Sequence, residues 1–268
     1  AGGAHSWRVT APHFTDAGRD AGTAGKIPSP TTWSVKNLLE LKNASGVVIE
    51  ANLFENNWAG GQPGYAIVFT PRNQDGKAPW SRVDSVRFSH NIVRHVASVF
   101  NMLGTDNLKP SGPGRDIVID NNLFVDVNGA AWGGGQGDFI QLGDGVADVH
   151  AEHNTVDHTG RMVSVYGKPS TGFVFRANVI RHNAYGVMGA AASPGTLTFE
   201  RFLPGAVFEQ NIVAGGDSKR YPPGNTFIAA GAFDQEFENA GAGDFHSRKG
   251  AGTGADVATI EAAIGKQD

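Results

Sequence analysis

A short alternation of apolar and polar positions recurs six times along the chain. Each copy reads apolar, any, apolar, any, any, Asn, apolar, apolar, as in VVIEANLF from Val47 and IVIDNNLF from Ile117, except that Thr155 follows the asparagine in the copy from Val149. The other copies begin at Val86, Val149, Phe173 and Ala206. The apolar positions five and three residues before the Asn have the period of two that is typical of a strand with one buried face. The pattern therefore predicts a strand at the start of each of six repeated units.

An asparagine occupies the same position in every copy of the repeat. The six asparagines lie 24 to 39 positions apart and are Asn52, Asn91, Asn122, Asn154, Asn178 and Asn211. In a chain wound so that successive copies stack, one amide side chain can hydrogen-bond to the amides above and below it. Sheets built from antiparallel hairpins need no asparagine at one fixed place in each unit. The spacing therefore predicts a solenoid with a ladder of stacked asparagines.

A second apolar segment follows each of the early copies. These segments are YAIVFT from Tyr65, SVFNMLG from Ser98, DFIQLGDG from Asp138 and MVSVYGK from Met162, and NLLELKN at 37–43 fits the same place before the first copy. Two or three short strands per unit, with little helical periodicity, are typical of coils that hydrogen-bond to one another at about 4.8 Å per step. We therefore predict an all-β fold, a single-stranded right-handed parallel β-helix of six to seven coils.

One domain is predicted for the whole chain, residues 1–268. Residues 1–34 are rich in Gly, Pro, Thr and Ala and predict an irregular N-terminal cap, residues 35–235 the coils, and residues 236–268 a C-terminal tail or cap. In the tail, VATIEAAIGKQ from Val257 favours a short helix. The stretch GAAASPGTLTFERFLPG, between Tyr185 and Asn211, is predicted to be a loop extension at the late coils.

Composition and charge exclude several classes of protein. A net charge of −4 provides no basic field for a phosphate backbone, so we expect no nucleic acid partner. No apolar run reaches the roughly 18 residues of a membrane span. The lack of cysteine excludes disulfides and thiolate chemistry. The sequence also contains no G-x-S-x-G nucleophile elbow and no H-E-x-x-H zinc motif.

The asparagine repeat and the closing stretch FENAGAGDFHSRKGAGTGAD, at 237–256, resemble right-handed parallel β-helix proteins of the pectate-lyase-like superfamily, of the secreted bacterial type. The resemblance covers roughly residues 35–256. It implies a secreted or periplasmic protein whose leader is absent from this sequence. It also implies a polysaccharide or oligosaccharide partner lying along one outer sheet, in a groove walled by long loops. We expect a monomer.

The resemblance does not choose an activity, because fold and function are separable. The superfamily holds pectin and alginate lyases, polygalacturonase-like hydrolases, esterases, epimerases and non-catalytic adhesins. The trio of aspartate motifs seen in its polygalacturonases and the Asp-His strand pattern of its pectate lyases are missing from this chain. Those two specific activities are therefore not favoured.

The segment HAEHNTVDH, residues 150–158, contains three histidines whose spacing would suit zinc ligands. In the frame of the repeat, His150 and His153 lie on different faces or corners from His158, which disfavours a site within one coil. The position four residues after each asparagine instead forms a row along the stack, with the members Asn56, His95, Asp126, His158 and His182. Two hypotheses fit this row. It is a second polar ladder, or its central members His95, Asp126 and His158, about 5 Å apart, form a catalytic or metal-binding group.

The outward side chains of the second strands form the predicted substrate face. They include Glu40, Lys42, Asn101, Gln141 and Tyr166, and the loops that follow add Arg72, Asp75, Trp80 and Lys168. A solvated sheet without a ligand would have the same mixed polar composition. Trp58 in NNWAGGQ and Trp132 in AAWGGGQ take equivalent places in two coils. They are predicted either to stack on sugar rings or to fill the space beneath their own loops.

Two chemistries fit these residues. Elimination at a uronic acid needs a cation beside the sugar carboxylate and a base near its α-proton, and the eligible groups are Lys42, Arg72, Arg94, Tyr166, Lys168 and the histidines. Hydrolysis needs two carboxylates at a fitting separation, and the eligible set is Glu40, Asp75 and Asp144. We expect no cofactor except calcium, and calcium only for a lyase. The alternative to an enzyme is a non-catalytic carbohydrate-binding or surface-recognition β-helix.

Overall fold

Three parallel sheets form the walls of the protein, in a computed structural model that describes residues 7–9, 13–15, 36–60, 62–250 and 252–265. The first sheet contains Trp7–Val9, Ala44–Glu50, Val83–Ser89, Gly114–Asp120, Ala147–Glu152, Val174–Arg176 and Val207–Glu209. The second contains His13–Thr15, Leu53–Asn57, Ile92–Val96, Leu123–Val127, Thr155–His158, Val179–Arg181, Ile212–Ala214 and Thr226–Ile228. The third contains Leu39–Leu41, Tyr65–Phe69, Ser98–Leu103, Ile140–Gly143, Val163–Tyr166 and Val187–Gly189. Each strand pairs in parallel with its counterparts one coil away, which confirms the predicted parallel β-helix.

The predicted asparagine ladder is present and is longer than the repeat indicated. Asn52 Nδ2 donates to Asn91 Oδ1 at 2.9 Å, and the same bond recurs from Asn91 through Asn211 at 3.0 to 3.1 Å. Each acceptor oxygen also takes the backbone N–H of the preceding asparagine. Asn211 continues the ladder to Asn225 at 2.8 Å, only 14 residues further on. Because a buried amide without a partner is costly, the ladder fixes the register of the coils.

Alternate side chains of the three sheets fill the interior. In the third sheet, Ile67, Phe100, Ile140 and Val163 occupy one register row and are fully buried, so the residues between them point outward, as predicted. Aromatic rings pack along the axis, as where Phe100 and Phe139 have ring centroids 6.0 Å apart. Burial of each such side chain contributes about 1.5–3 kcal/mol. The packed interior gives the outer surface of each sheet a rigid support.

The ends of the coil stack differ from the prediction in two places. The strands Trp7–Val9 and His13–Thr15 pair in parallel with the first and second sheets, so part of the segment predicted as an irregular cap continues these sheets. The stretch predicted as a loop extension contains the α-helix Thr196–Phe202, whose Phe199 and Phe202 pack on the core. A helix of seven residues is too short to show a clear helical period in the sequence.

The C-terminal tail folds back along the outside of the second sheet. It contains an antiparallel hairpin, Phe237–Asn239 with Asp244–Ser247, and the helix Val257–Gly265 that the sequence predicted. Phe245 and Ile260 belong to an apolar cluster shared with outward side chains of the sheet. The N–H of Ala255 donates to Thr155 Oγ1 at 2.9 Å. Neither this helix nor any other in the described part has the length and apolar character needed to cross a membrane.

Candidate functional site

The outward side of the third sheet carries mostly polar side chains. Together with the loops 70–82, 104–113, 143–146 and 167–170 we call it the polar face. Its central row, in strand register, consists of Glu40, Val68, Asn101, Gln141, Ser164 and Met188. Gln141 Nε2 donates to Asn101 Oδ1 at 3.1 Å and so links adjacent strands. The register places these two amides and Glu40 on one surface, as the sequence predicted.

Tyr166 lies at the end of its strand with its ring folded over the neighbouring coil. A β-carbon built on Gly143, its partner in register, would stand 2.5 Å from the ring carbon Cζ. Burial raises the pKa of the Tyr166 phenol, and the negative charge of Asp144 raises it further, whereas the positive charge of Arg72 lowers it. The phenol is therefore protonated at neutral pH and lies within the fields of a carboxylate and a guanidinium.

Arg72 is held at this end of the face by the loop that follows the next strand. Its Nη1 donates to Asp106 Oδ1 at 3.1 Å and to Asn107 Oδ1 at 2.6 Å. Asp106 also accepts the N–H of Asn73 at 2.7 Å and the N–H of Leu108 at 2.8 Å. Desolvation opposes the shift, but the hydrogen bonds from Leu108, Asn73 and Arg72 together lower the pKa of Asp106. The ionised carboxylate joins two loops, and the guanidinium group of Arg72 uses only Nη1 in its hydrogen bonds to the described residues.

Two more charged side chains border Tyr166 on the following loops. Asp144 is half-buried, and a β-carbon on Gly167 would stand 2.2 Å from Asp144 Oδ1, so the carboxylate rests on the next loop. Lys168 is exposed on that loop, one residue beyond Gly167. The loop end of the third sheet therefore carries a phenol, a carboxylate and two cationic side chains, which come from three coils within a stack of four.

The remaining predicted residues of this surface are more exposed. Lys42 Nζ lies 3.4 Å from Glu40 Oε2, which forms an ion pair at the edge strand. Asp75 is exposed in the turn Gln74–Gly76. Trp80 follows in the same loop, and its 68% exposure makes it the most accessible of the tryptophans that the structure describes with side chains. These groups border the polar face without forming a catalytic pair with one another.

A buried polar cluster at the opposite end of the strands was not predicted. Asp138 is fully buried and accepts Arg161 Nε at 3.0 Å and Nη2 at 2.5 Å. The Tyr65 hydroxyl lies 3.2 Å from Asp138 Oδ2 and 3.0 Å from Gln141 Oε1. Burial, with the charge of Asp138, raises the pKa of Tyr65 far above its ordinary value. Tyr65 and Asp138 are 73 residues apart, so only an established coil register could have joined them.

The structure corrects the predicted row of His95, Asp126 and His158. His95 and Asp126 have left-handed φ angles of 57° and 50°, so each is an extra outward residue in its strand. Val127, the residue after Asp126, pairs with His158, which turns His158 inward. The His158 ring is buried, its Nε2 donates to Arg181 O at 2.7 Å, and burial lowers its pKa. The coil of His158 lacks the extra outward residue that Asp126 provides in the preceding coil. His158 therefore points inward and not to the outer surface.

His95 and Asp126 do meet, on the outside of the second sheet. His95 Nδ1 and Asp126 Oδ2 are 2.9 Å apart, and Trp132 Nε1 donates to the same oxygen at 2.9 Å. Trp132 is 6% exposed and Trp58 is fully buried, and both belong to one small apolar cluster beneath their loops. Of the two predictions for these tryptophans, the structure therefore supports space-filling and not stacking on sugars.

Arg94, another predicted catalytic residue, is also outside the polar face. Its Nε donates to Glu55 Oε2 at 2.7 Å on the outer side of the second sheet. Arg181 pairs there with Asp157 at 2.6 Å and with Asp234 at 2.7 Å. Ion pairs of this kind at a surface add little net stability. The outer side of the second sheet thus carries ion-paired side chains, and Arg94 lies there and not with the other predicted catalytic residues on the polar face.

The other histidines of the segment 150–158 pair with nearby carboxylates. His153 Nδ1 lies 3.2 Å from Asp120 Oδ1, and His150 Nδ1 lies 3.7 Å from Glu152 Oε1. His158 is turned into the core and contacts neither of them. The segment is therefore part of the repeating scaffold and does not form a three-histidine site.

Calcium, which the sequence analysis allowed only for a lyase, does not fit the residues present. Among the residues that the structure describes, no group of three or more His, Asp or Glu side chains is arranged to hold a metal ion. Calcium takes six to eight oxygen ligands. Asp106 on the polar face is paired with Arg72, and Asp138 in the buried cluster at the opposite end of the strands is paired with Arg161. We therefore derive no step through calcium.

The chain matches no protein-family model, no curated protein and no solved structure. The three stacked parallel sheets establish the fold class without establishing a family. The function is therefore inferred from the polar face, since a fold alone does not fix an activity.

Proposed function

We propose that the protein is a polysaccharide lyase that binds and cleaves a uronic-acid-containing extracellular polysaccharide on the polar face. The observation that carries this proposal is the Tyr166 phenol, set within the opposing fields of Arg72 and Asp144. With it we propose a secreted or periplasmic, monomeric protein related to the pectate-lyase-like superfamily. The parallel sheets and the asparagine ladder support that relationship.

Elimination assigns one role to each group around Tyr166. Arg72 binds the sugar carboxylate and stabilises the negative charge that develops when the α-proton leaves. Asp144 accepts that proton, the electron pair forms the carbon–carbon double bond, and the glycosidic C–O bond breaks. Tyr166 donates its proton to the departing oxygen. The raised pKa of the phenol keeps it protonated at neutral pH, which is the form that can donate a proton.

The central row and the loops supply the binding surface. The amides of Asn101 and Gln141 can donate to and accept from sugar hydroxyls. Trp80 has the exposed indole face that stacking on a sugar ring requires. Lys168 adds a second cation for a polyanion. The face is therefore complementary to a long, polar and acidic chain.

The carboxylates of the face favour elimination over hydrolysis. Hydrolysis uses two carboxyl groups, one on each side of the bond to be broken. Asp106 and Asp138 are bound by arginines, and Glu40 lies beside Lys42. Asp144 is the carboxylate next to Tyr166. Asp75, exposed in its loop turn, is the remaining candidate for a second one.

The test is an assay of the full chain on a panel of uronate polymers. Elimination produces unsaturated ends that absorb in the ultraviolet, whereas hydrolysis produces only reducing ends. We expect ultraviolet-absorbing products, and we expect Tyr166→Phe to lose about 10²- to 10⁴-fold in turnover, because it removes the proton donor. Tyr185→Phe is the control, since Tyr185 is exposed in a turn outside the polar face.

Three other outcomes would contradict the proposal. Reducing ends without unsaturation would indicate a hydrolase, and Asp75 would become the first residue to test. Glycan binding without cleavage would indicate the binding module that the sequence left as the alternative. No binding and no cleavage across the panel, with folded protein, would remove the polar face as a carbohydrate site.

A further inference from the structure

Gly143 ends a strand of the polar face, at a position where its backbone does not require glycine. It pairs in register with Leu103 on one side and with Tyr166 on the other. Its φ lies outside the left-handed region, so any L-residue could adopt the same conformation. Glycine inside a strand weakens it and often marks the close approach of another group. The structure must therefore supply a reason for glycine at this place.

The reason is the side chain of Tyr166. A β-carbon on Gly143 would lie 2.5 Å from Tyr166 Cζ, 2.6 Å from Tyr166 Oη and 2.6 Å from Leu103 Cδ2. Real β-carbons essentially never approach other atoms so closely. The phenol ring therefore occupies the space in which any other residue at 143 would place its side chain.

This arrangement moves the hydroxyl group across the stack. Leu103, Gly143 and Tyr166 stand on three successive coils, and Arg72 follows the strand of the coil before them. Because residue 143 has no side chain, the ring leans over that coil as far as the side chain of Leu103. The phenol is brought towards the coil that carries Arg72.

We propose that Gly143 is a positioning residue, which lets the Tyr166 ring lie across its coil and so delivers the hydroxyl group to the reacting bond. This inference rests on the proposed function for its role in catalysis. The placement of the ring by Gly143 stands on geometry alone. The two parts can therefore be tested separately.

Gly143→Ala is the direct test. To reach an ordinary contact distance of 3.4 Å, the ring must move by about 1 Å from the new methyl group. A displacement of that size can reduce turnover by about 100-fold. Gly231→Ala is the matched control, because a β-carbon there meets nothing within 4 Å and the backbone also lies outside the left-handed region.

Two measurements decide between the outcomes. The first is the ultraviolet titration of the Tyr166 phenol, obtained as the difference between the protein and its Tyr166→Phe variant. We expect Gly143→Ala to shift the midpoint of the titration towards that of an exposed tyrosine, because the displaced ring becomes more accessible to solvent. An unchanged midpoint would overturn the inference whether or not the protein is a lyase.

The second measurement is a double-mutant cycle on turnover with Tyr166→Ala. If Gly143 acts through the phenol, Gly143→Ala causes no further loss in the Tyr166→Ala background. A full additional loss there would overturn the positioning role. A shifted titration in a protein that cleaves no uronate polymer would contradict the proposed function and leave the placement of the ring established.

Discussion

The outer sides of the second and third sheets are built by the same repeat but differ in what covers them. The outward row of the second sheet is mostly apolar and consists of Leu53, Ile92, Leu123, Thr155, Val179 and Ile212. The C-terminal tail covers it with an apolar cluster that includes Phe237 and Ile260. The corresponding row of the third sheet is mostly polar, and Asn101 and Gln141 at its centre are half-buried.

The comparison shows that outward composition follows the partner of each surface. Apolar side chains face outward where the chain itself covers them, since burial of apolar area is favourable. Amides and charges face outward on the polar face, where fixed polar groups are suited to orienting a hydrophilic ligand. The polar face is therefore the better of these two surfaces for a carbohydrate.

The largest effect is expected from a charge placed under the tail. Val179 is 3% exposed, and a β-carbon on Gly254 of the tail would lie 2.7 Å from its Cγ2. Val179→Asp should lower the free energy of unfolding by at least about 3 kcal/mol, because the carboxylate is buried without a partner. Urea unfolding measures the change. The matched control is Asn101→Asp on the polar face, where a change within about 1 kcal/mol is expected. Equal losses at the two sites would contradict the difference between the surfaces.

The covered surface could have been recognised in the sequence. Five of the six copies of the repeat have apolar residues at both positions after the asparagine, as Leu123 and Phe124 follow Asn122, and the sixth has Thr155 and Val156 there. Neighbouring residues of a strand point to opposite sides, so two in succession indicate a strand that is buried on both sides. The inward positions and the ladder were predicted because they depend only on period and spacing. These are properties that a sequence displays directly.

The candidate site could be predicted only in part. Arg72, Tyr166 and Lys168 were identified because they lie at or just after strands whose register the repeat defines. The error at His158 came from one residue, because the extra outward position represented by Asp126 has no equivalent in the next coil. The roles of Asp106, Asp138 and Gly143 depend on contacts between loops or across coils, and no local pattern encodes such contacts.

A smaller effect is expected when the hydrogen bonds that Asp106 accepts from Arg72 and its neighbours are removed. Asp106→Ala removes the acceptor for Arg72 and for the N–H groups of Asn73 and Leu108. We expect glycan binding or turnover to fall roughly tenfold, because the loops lose charge-assisted bonds worth about 1.5–3 kcal/mol each. Asp116→Ala is the control, since Asp116 bonds to Ser85 on the outer side of the first sheet.

The pH dependence of the interactions of Asp106 provides a second test of their role. The folded-state pKa of Asp106 is lowered, so its contribution is present above the unfolded value, about 3.9, and is lost as the pH falls through the folded value. Protonation of Asp106 should therefore not reduce the glycan binding or turnover of the wild-type protein at any pH above about 4. An Asp106→Ala variant that keeps full binding and turnover would show that Arg72 needs no such support.

The smallest effect is expected from His246, which pairs with two carboxylates within the tail that covers the second sheet. His246 lies with Nδ1 2.7 Å from Asp244 Oδ1 and with Nε2 3.6 Å from Glu261 Oε2, so it joins the hairpin to the C-terminal helix. The hydrogen bond to Asp244, together with the charges of Glu261, Asp244 and Asp256, raises the pKa of His246 against the opposing desolvation. Hydrogen bonds from the His246 N–H and ring in turn lower the pKa of Asp244.

The sign of the pH effect follows from these shifts. A raised folded-state pKa gives stability that is fully present below the unfolded value, about 6.5, and is lost as the pH rises through the folded value. His246→Gln should therefore lower the urea midpoint more at about pH 5.5 than at about pH 8.5, whereas the activity proposed for the polar face should not change. A loss that is equal at both pH values would mean that the imidazolium does not fasten the tail. A larger loss at the higher pH would mean that the neutral ring of His246 stabilises the tail and that its positive charge does not.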